Sequence, residues 1–188
     1  MNHLAVLIWH TEHSGGAIGY FPDGPMTEYR YHYDIIAPII QSYGNDQEIT
    51  TKIFTRNIGG VTGAYKNINE WAKDKNACCV ELHFNSFNLM TTGTETLFDM
   101  QPVASEFLAR IVQEKLCQAF RRPALSRGVK LVNEGRGAIN LQLCQIPGVL
   151  TEAFFGDSKA DAALAWNMRY EYARAVVNGA KEFLKEKK

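Results

Sequence analysis

Short apolar, β-branched runs that alternate with stretches of helical periodicity leave this chain few folds to choose from. The strand-like runs are residues 3–9, 49–55, 77–84, 94–98, 139–143 and 148–154. Helical patterns cover about residues 27–43, 61–75, 102–121 and 158–187. The last opens on Ser158 with Asp161 three positions on, and its stripe Trp166, Tyr170, Ala173, Val177, Ala180, Leu184 steps by four and three. Pro38 inside the first helical pattern removes a backbone donor and is expected to kink it. Strands alternating with helices predict an α/β fold: a single layered domain, residues 1–188, with a twisted, mostly parallel sheet of about six strands and helices on both faces. Such sheets place their ligand crevice outside the carboxyl ends of the strands. Residues 11–27, with Gly15, Gly16, Gly19, Pro22, Gly24 and Pro25, read as one long loop at that edge.

Charge narrows the function classes. The 188 residues carry 20 Lys+Arg against 20 Asp+Glu, so no single-sign field draws the chain to nucleic acid or to an anionic membrane. The apolar run at the start has neither a basic region before it nor a small-residue cleavage site after it, so it reads as a buried strand. No stretch approaches the roughly 20 apolar residues of a membrane span. Neither a repeat nor a linker sets off a separate wall-binding module, and a monomer is expected. Cys78, Cys79, Cys117 and Cys144 read as reduced, buried thiols in a chain too large to depend on a disulfide framework.

Several chemistries lack their motif: there is no G-x-S-x-G, no phosphate-binding G-x-x-x-x-G-K-[ST], no G-x-G-x-x-G, no H-E-x-x-H and no C-x-x-C. Polar residues do stand where apolar ones are expected. His83 closes Ala-Cys-Cys-Val-Glu-Leu-His, and Glu152 sits in Gly-Val-Leu-Thr-Glu-Ala-Phe-Phe. His10 and His13 follow the first strand, while Glu28 opens the first helix on the face of Ile35 and Ile39. Two imidazoles and two carboxylates converging on one sheet edge match a catalytic zinc inventory: three protein ligands, an open position for water and a carboxylate as general base. Each residue also has a structural reading. A lone histidine is commonly a satisfied core residue, Glu28 suits a helix N-terminus, and Glu152 could pair with Arg127 or Lys130. His32, one helical turn after Glu28, is read as a surface residue.

This pattern resembles the zinc-dependent N-acetylmuramoyl-L-alanine amidases of the Amidase_3 family. His13-Ser14-Gly15-Gly16-Ala17-Ile18-Gly19 is similar to the family's H-G-G-x-x-x-G loop, and Thr55-Arg56 to its T-R. Glu81-Leu82-His83-Phe84-Asn85-Ser86 is similar to S-[IL]-H-x-N-[SA], Gly93-Thr94-Glu95 to G-x-E, and Arg127-Gly128-Val129-Lys130 to R-G-V-K. The segment from Pro147 to Phe154 is similar to P-x-V-L-x-E-x-G-F but lacks its glycine, with Ala153 following the Glu. The resemblance implies an enzyme that hydrolyses the amide between N-acetylmuramic acid and the L-alanine of the peptidoglycan stem peptide. Zn2+ would be held by His13, Glu28 and His83, with Glu152 as catalytic base. Trp9-His10-Thr11-Glu12-His13 replaces the usual D-P-G-H, so His10 and His13 both remain open as first ligand; His13 is placed ahead because the glycines follow it. A catalytic domain with no export signal or appended module resembles a phage endolysin, made in the host cytoplasm and acting on the wall after release; a secreted enzyme whose signal has been removed would read the same. The alternatives are a zinc peptidase cutting within the stem peptide and a non-catalytic wall-binding domain of the same fold.

Overall fold

The computed structural model describes residues 1–134 and 136–186. Its sheet has six strands: β1 (Asn2–Ile8), β4 (Ile49–Thr55), β5 (Asn76–Asn85), β6 (Thr94–Phe98), β7 (Ser126–Leu131) and β8 (Gly148–Phe155), in the order β4-β1-β5-β8-β6-β7. Every neighbouring pair is parallel except β6 with β8, which is antiparallel. β5 is central and buried along nearly all its length, as a parallel strand covered on both faces must be, and that requirement explains its near-continuous apolar run.

Helices cover both faces. Against one lie α2 (Ala37–Asp46), α4 (Ser105–Ala119), α6 (Lys159–Asn167) and α7 (Arg169–Glu186), packed on Leu4, Val6, Val80, Leu82 and Phe84. Against the other lies α3 (Gly60–Ala72), with Ala64, Tyr65 and Ile68 meeting Ala5, Leu7 and Cys79. All four cysteines are buried thiols outside any disulfide, as expected. Under the carboxyl edge of the sheet sits an aromatic cluster in which Phe21 stacks on Tyr31 with centroids 4.5 Å apart and Phe84 meets Phe154 at 5.2 Å. These rings give the edge a rigid floor.

Five local features differ from the expectation. Residues 139–143 form no strand; 139–142 belong to α5 (Arg136–Gln142) and Leu143 follows in a turn. Ala138 and Leu141, three apart, are buried, while Ile139 is 61% exposed, a helical period in place of a twofold one. β7 had no apolar run to announce it, because it is a largely exposed edge strand carrying Arg127 and Lys130. Within residues 11–27 the chain folds into an antiparallel hairpin, β2 (Ile18–Phe21) with β3 (Gly24–Thr27). The first helical stretch is α1 (Glu28–Arg30), a π-helical segment Tyr31–Ile36 and then α2, so the adjustment expected at Pro38 is spread over the π turns before it. The final helical stretch breaks at Met168 into α6 and α7.

Candidate active site

Three parallel strands, β1, β5 and β8, present their carboxyl ends side by side, and each contributes a polar residue there. β1 ends at Ile8, and His10 lies two residues beyond, over the edge. His83 is the last buried polar residue of β5 and stands in register with Glu152 on β8. Glu28 begins α1, where the Thr27 hydroxyl accepts the Arg30 amide as N-cap.

Glu28 is the hub. It is 3% exposed, and its Oε2 lies 3.1 Å from His10 Nε2 while its Oε1 lies 2.9 Å from His83 Nδ1. The same oxygens accept the backbone N–H groups of Ala17 and Phe84 at 3.4 and 3.3 Å. Burial opposes ionisation of this carboxyl, yet hydrogen bonds from His10 and His83 hold it far below the usual carboxylate range. One donor atom from each of His10, Glu28 and His83 can be chosen so that all lie within 4.8 Å of one another. Two imidazoles and a carboxylate so placed fit a divalent zinc with a position left for substrate or water.

His13 is not in this group. It lies on an exposed turn, residues 12–14, closed by the Ser14 amide donating to the Thr11 hydroxyl at 3.0 Å. The glycines that favoured His13 in the sequence serve His10 instead. Gly16 has φ +83°, and a Cβ there would stand 2.5 Å from His10 Cδ2 and 2.9 Å from Glu28 Cβ. A glycine is therefore needed for the loop to close over the imidazole. The structure thus brings His10, and not His13, together with Glu28 and His83 in one candidate group.

His32 is not a surface residue either. It is fully buried, with Nε2 3.3 Å from the Tyr172 hydroxyl and its ring 5.9 Å from that of Phe84. Burial depresses its pKa to about 3, so it is a neutral core imidazole.

Glu152 is partly exposed, and its Oε2 is buried without a hydrogen-bond partner. Desolvation pushes its pKa up to about 8; His83 opposes the shift, and the carboxylates of Glu28, Glu95 and Glu81 add to it. The ion-pair alternative is not realised, since Arg127 Nε pairs with Glu95 at 2.8 Å and Lys130 pairs with that carboxylate too. Glu95 stands opposite Glu152 in the β6–β8 register, and its Oε1 accepts from Asn85 Nδ2 at 3.1 Å. Asn85 thereby ties the end of β5 to β6.

One residue of the site escaped the sequence reading. Glu81, fully buried on β5, accepts from His83 Nε2 at 2.6 Å. Its signal was present: a carboxylate inside an apolar run, two positions before His83 and hence on the same face of the strand.

The chain was compared with known proteins. A family model described as N-acetylmuramoyl-L-alanine amidase, Amidase_3, matches residues 6–182. None of the curated proteins matches the chain by sequence. Among solved structures, the catalytic domain of CwlV, an N-acetylmuramoyl-L-alanine amidase from Bacillus (Paenibacillus) polymyxa var. colistinus, superposes with a TM-score of 0.81 at 19% identity, covering 98% of this chain and 99% of that one. An N-acetylmuramoyl-L-alanine amidase from Clostridium difficile 630 gives 0.81 at 18% identity over 99% and 98% of the two chains. Ami1 from Mycobacterium smegmatis, an N-acetylmuramyl-L-alanine amidase, gives 0.76 at 18% identity over 99% and 97%. At these identities the structures establish the fold, and the family model establishes the rest: the chain belongs to the Amidase_3 family of N-acetylmuramoyl-L-alanine amidases, the peptidoglycan amidases.

Proposed function

We propose that His10, Glu28 and His83 hold a catalytic zinc ion and that Glu152 is the general base for hydrolysis of the amide between N-acetylmuramic acid and L-alanine. The observation that carries this reading is the clustering of the three donors within 4.8 Å, with Glu152 in register beside His83. When bound, zinc supplies Lewis acidity, polarising the scissile carbonyl and making water a nucleophile at neutral pH.

The chain's own residues do the remainder. Glu28 is fixed through both oxygens, which supports a ligand set held in place by the fold. Trp9 leans over His83 with centroids 6.0 Å apart and covers one side of the ring. Glu152 takes a proton from the attacking water and delivers it to the nitrogen of the leaving L-alanine as the C–N bond breaks, leaving a lactyl carboxylate and a free amine. An unpartnered carboxyl oxygen and a pKa raised toward neutrality suit it to both transfers. A divalent charge nearby lowers that pKa and favours the base form at pH 7.

Metal analysis of the purified protein together with two variants tests the assignment. About one zinc per chain is expected for the wild type and for Glu152→Gln, with lysis of peptidoglycan lost in the latter, while His83→Ala loses both. Full lysis by Glu152→Gln would overturn the role of that carboxylate.

A further inference from the structure

We infer that Glu81 is a positioning residue for the proposed zinc site: its carboxylate fixes the His83 ring with Nε2 protonated, so that Nδ1 presents its lone pair toward the cation. The inference rests on the metal-site reading above and assigns a role to a side chain outside the ligand set. The family pattern quoted above has serine at this place, so the role belongs to this chain's own sequence.

Glu81 lies in the central strand with no solvent exposure, where an unpaired carboxylate is too costly to keep. It is instead fully engaged. Oε1 accepts from His83 Nε2 at 2.6 Å and from Asn140 Nδ2 of α5 at 3.3 Å, while Oε2 accepts from the Tyr65 hydroxyl of α3 at 2.5 Å. Two helices thus hold the carboxylate, and the His83 imidazole bridges it to Glu28.

Both nitrogens of His83 face a carboxylate: Nε2 meets Glu81, which the surrounding fold holds fixed, and Nδ1 lies 2.9 Å from Glu28 Oε1 on the side of the ligand set. A cation held among His10, Glu28 and His83 would take the place of a proton on Nδ1 and leave the proton on Nε2. A carboxylate behind a ligating imidazole sets the tautomer, restrains the ring and raises ligand basicity, and losing such a partner typically weakens metal binding about 10- to 100-fold. Tyr65 and Asn140 act through Glu81 in turn, because neither is hydrogen-bonded to His83.

The test is zinc affinity, measured by competition with a chromophoric chelator, for the wild type, Glu81→Gln and Tyr65→Phe, with thermal unfolding of each metal-free protein alongside. Glu81→Gln keeps the shape and removes the charge; an affinity about 10-fold or more below wild type is expected. Tyr65→Phe removes a buried bond of the same network without touching the imidazole, and its affinity should fall less than that of Glu81→Gln whatever its loss of thermal stability. Equal losses of affinity in the two variants, or wild-type affinity in Glu81→Gln, overturn the inference in favour of a merely structural carboxylate. On the wild type itself, 15N spectra of the zinc-loaded protein should show His83 with metal on Nδ1 and a proton on Nε2; the opposite assignment also overturns it. Failure of the wild type to bind zinc refutes the metal-site reading itself, an outcome distinct from either of these.

Discussion

His32 makes the stability of this protein sensitive to mild acid, by an amount the structure sets. Its ring is buried between Tyr31, Phe84 and Tyr172, and its pKa falls from 6.5 to about 3. The unfolded chain therefore takes up a proton on His32 below pH 6.5 while the folded chain does not until about pH 3, so the unfolded state binds more protons across that window and stability drops as pH falls. At pH 5 the gap is about 1.5 units, which at about 1.4 kcal/mol per unit is about 2 kcal/mol, a large share of a typical domain's stability. His32→Phe keeps an aromatic ring of similar size and removes the titration. Urea unfolding followed by far-UV circular dichroism, at pH 7 and pH 5 with a chelator present, should show the wild type losing about 2 kcal/mol more than His32→Phe between the two pH values. Equal losses in the two proteins would refute the claim that His32 is held neutral by burial.

Other outcomes follow from the site. On the proposed role of Glu152 in moving the proton, Glu152→Gln should lower the rate of muramoyl-alanine hydrolysis about 100- to 10,000-fold while zinc content stays at wild type. His10→Ala should lose zinc and activity together, whereas His13→Ala, on the exposed turn, should retain both; the reverse ranking in metal analysis would return the ligand role to His13. Gly16→Ala places a methyl group 2.5 Å from the His10 ring at φ +83°, so it should cost about 1 to 3 kcal/mol of stability and weaken zinc binding in a competition assay. With no net charge, binding of Glu152→Gln to isolated cell walls should depend only mildly on salt in a pull-down series.

The sheet was legible wherever burial forces a pattern. β1, β5 and β8 announce themselves because most of their buried side chains must be apolar, β4 and β6 through their β-branched residues, and the order of strands and helices then leaves little choice of layer architecture. β7 was not legible because an edge strand is free to be polar, and α5 was misread because a segment as short as Ile-Asn-Leu-Gln-Leu, alternating apolar and polar, does not distinguish a strand from a short helix. In the site, Glu28, His83 and Glu152 could be found as polar residues at strand and helix ends. Which of His10 and His13 approaches Glu28 could not be read in sequence: it depends on a glycine loop folding back over the preceding residues, which order along the chain does not reveal. Glu81 was visible as a buried charge, but its purpose appears only when Tyr65 and Asn140, 16 and 59 residues away, are seen to hold it against His83.

The most direct measurement is mass spectrometry of peptidoglycan digested with the zinc-loaded protein. Glycan strands bearing free lactyl groups and intact stem peptides with a free L-alanine amine are expected. Fragments cut between two amino acids, with the muramic acid amide intact, would contradict hydrolysis at that amide.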